Sequence, residues 1–225
     1  MKSGSLPARL NVLLQRDYYN NVLRPLIQKA KKYKVVLLFL DGSHFVMGGD
    51  FLGYIYGTVR RYIKTFSGRK RYSVLGALNF STKKITTIST VEYISAVEVC
   101  EMLKKVSIEY AGKPIHIVLD NARYQKCTAV KDLAKELSII LEYLPPYSPN
   151  MNAIERFWKH VKSRLRSQYY DQFDAFKETI DFIIEDSDKG SKTVMDKLIG
   201  ERVQVFDNLF SINDNTFIAN KASLS

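Results

Sequence analysis

Three carboxylates stand where chemistry could be done. Asp41 and Asp120 each follow a short apolar run, Val35-Val-Leu-Leu-Phe-Leu40 and Ile115-His-Ile-Val-Leu119. Glu155 comes after 34 further residues, inside a stretch of helical periodicity. In open α/β sheets, functional groups gather at the carboxyl ends of strands. If these two strands are neighbours, the aspartates converge, and paired carboxylates repel unless a cation sits between them. Oxygen donors with no cysteine or histidine partners favour Mg2+ or Mn2+. Plainer readings stand beside this one. Asp-Gly and Asp-Asn are common turn dipeptides. Glu155 could form a capping box with Asn152, or a surface pair with Lys159 of about 0.3–0.5 kcal/mol.

The elements that must position these groups follow from the hydropathy pattern. The two apolar runs read as central strands buried on both faces, ending at Asp41 and Asp120. Residues 17–32 read as a helix through Tyr18, Tyr19, Val22, Leu23, Leu26, Ile27 and Ala30, which Pro25 is expected to end or kink. Residues 44–71 read as irregular. Tyr72–Phe80 and Lys84–Thr90 read as a hairpin. A helix from about 92 to 110 uses Ile94, Val97, Cys100 and Leu103, and Gly112 and Pro114 end it. Val130, Leu133, Ala134 and Leu137 mark a helix over 124–137, and Ile139–Leu144 a strand. After Pro145-Pro-Tyr-Ser-Pro149 comes a helix over 152–166, with Ile154, Phe157, Trp158, Val161 and Leu165 on one face. Another, over 172–186, uses Phe173, Phe176, Ile180 and Ile183. Antiparallel strands followed by βαβ units make a mixed α/β sheet with helices on both faces.

The 225 residues, 46% hydrophobic and 25% charged, can bury a core without disulfides or metal staples. No run of about 18 apolar residues suggests a membrane span, and Met1–Pro7 lacks a signal peptide's apolar stretch, so a cytosolic location is expected. Cys100 and Cys127 read as two reduced, buried thiols, and no Cys/His cluster has zinc spacing. A net charge of +11 suggests a polyanionic partner, the plain alternative being a basic enzyme with no such partner. The stretch 60–71 carries Arg60, Arg61, Lys64, Arg69, Lys70 and Arg71 and no acid, with Tyr62, Phe66 and Tyr72 among or beside them. Such a segment suits phosphates and exposed bases; its plain reading is a charged loop or a protected edge strand. His44 is a candidate support behind Asp41, and His116 reads as strand packing or surface. Ser43 lacks the partners of a nucleophilic serine.

Leu144-Pro-Pro-Tyr-Ser-Pro-Asn-Met-Asn-Ala-Ile-Glu-Arg-Phe-Trp158 resembles the segment around the catalytic glutamate of bacterial insertion-sequence transposases of the Tc/mariner superfamily. Asp120-Asn-Ala122 and Leu40-Asp-Gly-Ser-His-Phe45 resemble their second- and first-aspartate motifs. The resemblance covers roughly residues 17–170. It implies a ribonuclease-H-like fold and a D-D-E triad, matched here by Asp41, Asp120 and Glu155, that binds two Mg2+ or Mn2+ ions for strand cleavage and strand transfer. The implied partner is double-stranded DNA, both element ends and target, with a homodimer left open and a bacterial, nucleoid-associated location. Lys159 and Lys162, on the face of Glu155, join the basic residues of 60–71 as expected DNA contacts. The expected organisation is a helical lead-in at 1–34, a catalytic domain at 35–170 and a helical extension at 171–225. Such transposases carry paired helix-turn-helix modules ahead of the catalytic domain, and about 34 residues cannot hold two. The expectation is a truncated form, a separate reading frame or a fragment. Two alternatives stand: an inactive remnant that binds DNA non-specifically, and a ribonuclease-H-like nuclease of another kind.

Overall fold

The computed structural model describes residues 11–48, 68–166 and 168–189. Helices α1 (Val12–Tyr18) and α2 (Arg24–Lys31) are joined without a break by a π-helical turn, Tyr19–Leu23. Pro25 therefore does not end the helical run as expected. It lies at the second position of α2, directly after the π-helical turn, and the Arg24 amide before it reaches back five residues to Tyr19.

Five strands follow the order β3-β2-β1-β4-β5, with β1 Val36–Met47, β2 Lys70–Asn79, β3 Ile85–Thr90, β4 Ile115–Leu119 and β5 Ile139–Tyr143. The first three are antiparallel; β1–β4 and β4–β5 are parallel. β1 does not end at Asp41 as expected. It continues through Gly42 to Met47 because β2 supplies an antiparallel partner along that whole length. For the same reason residues 44–47, 70 and 71 are strand rather than irregular chain.

Helices cover both faces. Helices α3 (Ala96–Glu109) and α4 (Thr128–Glu136) pack on one; α1–α2, α5 (Ile154–Arg164) and α6 (Phe173–Lys189) pack on the other. All five expected apolar positions of α5 are buried. Of the expected apolar positions at 92–110, Ile94 and Leu103 are buried, but Val97 is 70% exposed and Cys100 only partly buried; Val99, Met102 and Val106 complete the buried face. A strict three-residue step drifts around a 3.6-residue helix, and the helix starts only at the Ser95–Glu98 capping box. Cys100 and Cys127 are free thiols as expected, but only partly buried. Among the described residues, no helix is long and apolar enough to cross a membrane.

Candidate active site

The parallel register from Val36↔Ile115 to Phe39↔Val118, carried two residues further, sets Asp41 beside Asp120. Side chains alternate across a strand. Phe39 and Val118 belong to the core beneath α5, so Asp41 and Asp120 point to that same layer. Glu155, in the first turn of α5, joins them in lining a cleft of about 400 Å3. Its other wall is Leu144-Pro145-Pro146-Tyr147-Ser148-Pro149, the segment leading into α5.

Two glycines set the spacing. Gly76 pairs with Asp41 across β1–β2, and a Cβ there would lie 2.7 Å from Trp158 and 2.9 Å from Ile154. α5 therefore rests directly on the backbone beside Asp41. On the opposite face a Cβ at Gly42 would lie 2.5 Å from Ile94, so this glycine serves close packing within a strand rather than a turn.

Asn152 does not cap α5 with its side chain, and the capping box with Glu155 is not formed. Instead its amide donates to the Leu40 carbonyl at 3.1 Å, tying the start of α5 to the residue before Asp41. Asn121 similarly donates to the Leu144 carbonyl, joining the segment after β4 to the proline-rich wall. Asp120 does serve a turn, accepting from the Ala122 amide at 2.9 Å, and it lines the cleft as well. The Glu155–Lys159 surface pair is absent. Among the described residues, no basic group lies within 4.0 Å of any of the three carboxylates.

Burial, then the charges of Glu155 and Asp120, push the Asp41 carboxyl up to about 8, despite the Gly42 amide and Lys162. Burial also raises Glu155; Lys159 and Lys162 pull it back and Asp120 pushes it further up. The Tyr124 hydroxyl, on the far side of Gly42, is raised to about 12 by burial and by Asp120 and Asp41. As they stand, no three Asp, Glu, His or Cys side chains among the described residues enclose a single ion. The donor set nonetheless fits a hard divalent cation in charge and chemistry. All its side-chain donors are oxygens, and Asp41 and Glu155 resist ionisation because they are buried and face like charges, a penalty a cation removes.

A family model described as DDE superfamily endonuclease matches residues 36–177, well over half of the chain. The chain belongs to the DDE superfamily endonucleases. A search of curated proteins yields no match. Among solved structures, the fold is similar to the Mos1 transposase paired-end complex with left transposon end, at TM-score 0.65 and 15% identity, covering 88% of this chain and 62% of that one. It is also similar to the catalytic domain of Mos1 mariner transposase, at TM-score 0.58 and 15% identity, covering 90% and 94%. A third is the Mos1 mariner paired end complex with Mn, at TM-score 0.62 and 16% identity, covering 88% and 62%. The fold of this DDE superfamily member is ribonuclease-H-like, and the chain spans less than two thirds of the length of the first two Mos1 complexes it matches.

The basic residues expected to touch DNA fall in three places. Arg60, Arg61 and Lys64 lie outside the described residues. Arg69 precedes β2, and Lys70 and Arg71 begin it, with the Arg71 guanidinium 3.9 Å from the exposed Tyr93 ring and Lys70 over Phe173. Lys159 is exposed on α5; Lys162 lies over Phe45 and acts on both Asp41 and Glu155. The His44 Nδ1 is 2.9 Å from the Ser73 hydroxyl, and its ring packs edge-on to Tyr93, away from the acidic cleft. His116 pairs with Glu142 across β4–β5. Ser43 is buried, with no hydrogen-bond partner for its hydroxyl among the described residues. Gly76, Asn121, Asn152 and Tyr124 escaped the sequence reading as site residues. Asn121 and Asn152 sat inside the motifs; Gly76 carried no local signal, since only the strand register reveals what it faces.

Proposed function

We propose that this chain is the catalytic core of a DNA transposase that cleaves a strand by hydrolysis and joins the freed end to target DNA, with Asp41, Asp120 and Glu155 as its metal-holding triad. The observation that carries this reading is the cleft itself: three carboxylates far apart in sequence line one pocket, Asp41 within β1, Asp120 just past the end of the adjacent β4 and Glu155 in the first turn of α5. Two Mg2+ or Mn2+ ions held there would supply Lewis-acid stabilisation of charge at phosphorus and a more acidic attacking water. The chain's own part is placement. Asn152 ties the start of α5 to β1 at Leu40, Asn121 ties the segment after β4 to the proline-rich wall, and Gly76 allows α5 to bring Glu155 close.

In the first step water attacks phosphorus and the bond to the 3′ oxygen breaks, leaving a 3′-hydroxyl. In the second, that hydroxyl attacks a target phosphodiester, forming a bond to its phosphorus while the target's own 3′ oxygen is displaced and leaves as a 3′-hydroxyl. One site serves both, because the two displacements share geometry and charge. The names of the solved neighbours support the substrate and metals, since those proteins were captured with a transposon end, with Mn and with Mg. Arg69, Lys70, Arg71, Lys159 and Lys162, with Arg60, Arg61 and Lys64, are the proposed phosphate contacts. A bacterial insertion-sequence origin belongs to the same proposal and rests on the motif Leu144–Trp158. The deciding experiment incubates the chain with labelled duplex carrying the element's own end and Mg2+ or Mn2+. Metal-dependent nicking lost in Asp120→Asn supports the reading; equal cutting by wild type and variant overturns it.

A further inference from the structure

Helix α1 is inside out. Leu13 and Leu14 are 67% and 45% exposed, whereas Gln15 is 1% exposed. A helix that turns an amide inward and leucines outward breaks the usual amphipathic rule, and such conflicts mark places where the side chain is kept for its hydrogen bonds. Gln15 makes three. Its Nε2 donates to the Ser148 hydroxyl at 2.7 Å and to Asn150 Oδ1 at 3.2 Å, and its Oε1 accepts from Asn150 Nδ2 at 3.3 Å. Ser148 in turn donates to the Pro146 carbonyl at 3.3 Å.

These partners flank Tyr147, whose φ of +58° is a left-handed conformation that a bulky residue adopts only when its surroundings impose it. The chain then runs through the 3-10 turn Pro149–Met151 to Asn152, which holds Leu40, and the Glu155 amide donates to the Asn152 carbonyl at 3.2 Å. A continuous line of hydrogen bonds thus leads from α1, through the cleft wall, to the base of Glu155.

We propose that Gln15 is a positioning residue for the acidic cleft: it latches the Pro145–Asn150 wall and, through it, sets where α5 begins and where Glu155 stands. The inference rests on the transposase reading for its kinetic test, and makes α1 part of the catalytic unit rather than a lead-in.

The test compares Gln15→Met, equal in length but without hydrogen bonds, with Ile27→Val, which loosens the same helical segment without touching the wall. Gln15→Met is expected to lower kcat for metal-dependent cleavage by about 10- to 100-fold, the size of a misplaced catalytic group. KM for DNA should stay within about twofold. Ser148→Ala should be harmful alone and nearly silent in the Gln15→Met background, because the two side chains act as one unit. Hydrogen exchange should accelerate at the amides of residues 150–155 in Gln15→Met and not in Ile27→Val. Unchanged exchange there, or a kcat loss that Ile27→Val reproduces at equal loss of Tm, overturns the latch and leaves Gln15 a stabilising residue only. If the wild type cuts no DNA, the transposase reading fails by itself, and the exchange comparison still decides the latch.

Discussion

Two partly buried carboxylate sites in this molecule are built to opposite ends. Glu109, at the end of α3, sits 2.7 Å from the Lys84 ammonium and accepts from the Thr86 hydroxyl at 2.8 Å. Burial raises its carboxyl, but these hydrogen bonds outweigh the burial and hold it below its ordinary value. Asp41 and Glu155 are held above theirs by burial and by the neighbouring carboxylates, and among the described residues no basic group lies within 4.0 Å of either. The first arrangement is what folding alone favours. The second costs stability, and a fold keeps such a cluster where something absent from the free chain repays it.

The largest expected effect separates the two sites by activity. Asp120→Asn removes a charge from the cleft while keeping the shape and the Ala122 turn, and should lower metal-dependent cleavage by roughly 10²–10³-fold or more, the scale of losing a key electrostatic group. Glu109→Gln should leave the cleavage rate within about twofold and instead lower stability by about 1–3 kcal/mol, through loss of a charge-assisted hydrogen bond. Single-turnover cleavage and denaturant unfolding of both variants check this. If Glu109→Gln hurts catalysis more than Asp120→Asn, the division of labour is wrong.

Gly76→Val should come next, because it alters geometry without touching a charge. The new side chain has to displace Trp158 and Ile154, so unfolding should become easier by about 1–3 kcal/mol. Cleavage should fall with it, since α5 carries Glu155. A variant that keeps full activity despite the added bulk would show that the seat of α5 on β2 does not set the site.

Proton linkage gives a finer separation. An unfolded aspartate ionises near about 3.9, while folded Asp41 holds its proton up to about 8. Its stabilising contribution is complete below about pH 4 and is lost as pH rises toward about 8. Glu155, also raised, acts in the same direction. Glu109 and Glu98, both lowered, act only in acid: their contributions are present above about pH 4.3 and fade below it. His44 and His160, lowered as well, add stability as pH rises toward about 6.5 and little change beyond. Between pH 7 and 8 the acidic cleft therefore dominates, and Tm in chelator should decline. Mg2+ should restore it, increasingly so at higher pH, because binding requires the ionised carboxylates. Asp41→Asn should flatten both responses. A chelated Tm that rises over this window would contradict the proposed strain.

Much of this contrast was legible in the sequence. Unbroken apolar runs gave away β1 and β4, and five correctly phased residues gave away α5, because burial on a fixed face leaves a periodic trace. The three carboxylates were found through the segment Leu144–Trp158 and the shorter motifs around the aspartates. The length of β1 was not legible, since its continuation past Asp41 depends on pairing with β2 rather than on its own composition. The buried face at α3 was only partly legible, with Ile94 and Leu103 found, because exposed Val97 is as apolar as its buried neighbours. Gln15 left no trace at all: its partners lie more than a hundred positions away, and a polar residue in a helix reads as surface until the fold shows where it points.

The smallest expected effect concerns the basic residues, which should contribute binding without selectivity. Arg69 and Lys70 are exposed, while Arg71 is partly buried and lies over the Tyr93 ring. They stand at and just before the start of β2, and phosphate contacts carry no sequence information. The chain should therefore bind DNA with Kd on the order of 10⁻⁴–10⁻⁶ M at physiological salt, weakening steeply as salt rises. Replacing Arg69, Lys70 and Arg71 with Ala should weaken binding about equally on any sequence and flatten the salt dependence by up to about one unit of log–log slope for each phosphate no longer neutralised. The stacking of Arg71 on Tyr93 refines this: Arg71→Lys keeps the charge and should preserve most of the affinity, whereas a guanidinium-specific contact would not survive the change. Titrations against the element's terminal repeat and a scrambled duplex, at several salt concentrations, separate the outcomes. A preference for the repeat above about 10³-fold, as specific binders show, would mean that these residues or their neighbours read sequence. The basic face would then belong with the acidic cleft as a site built for recognition rather than as a general attraction for polyanions.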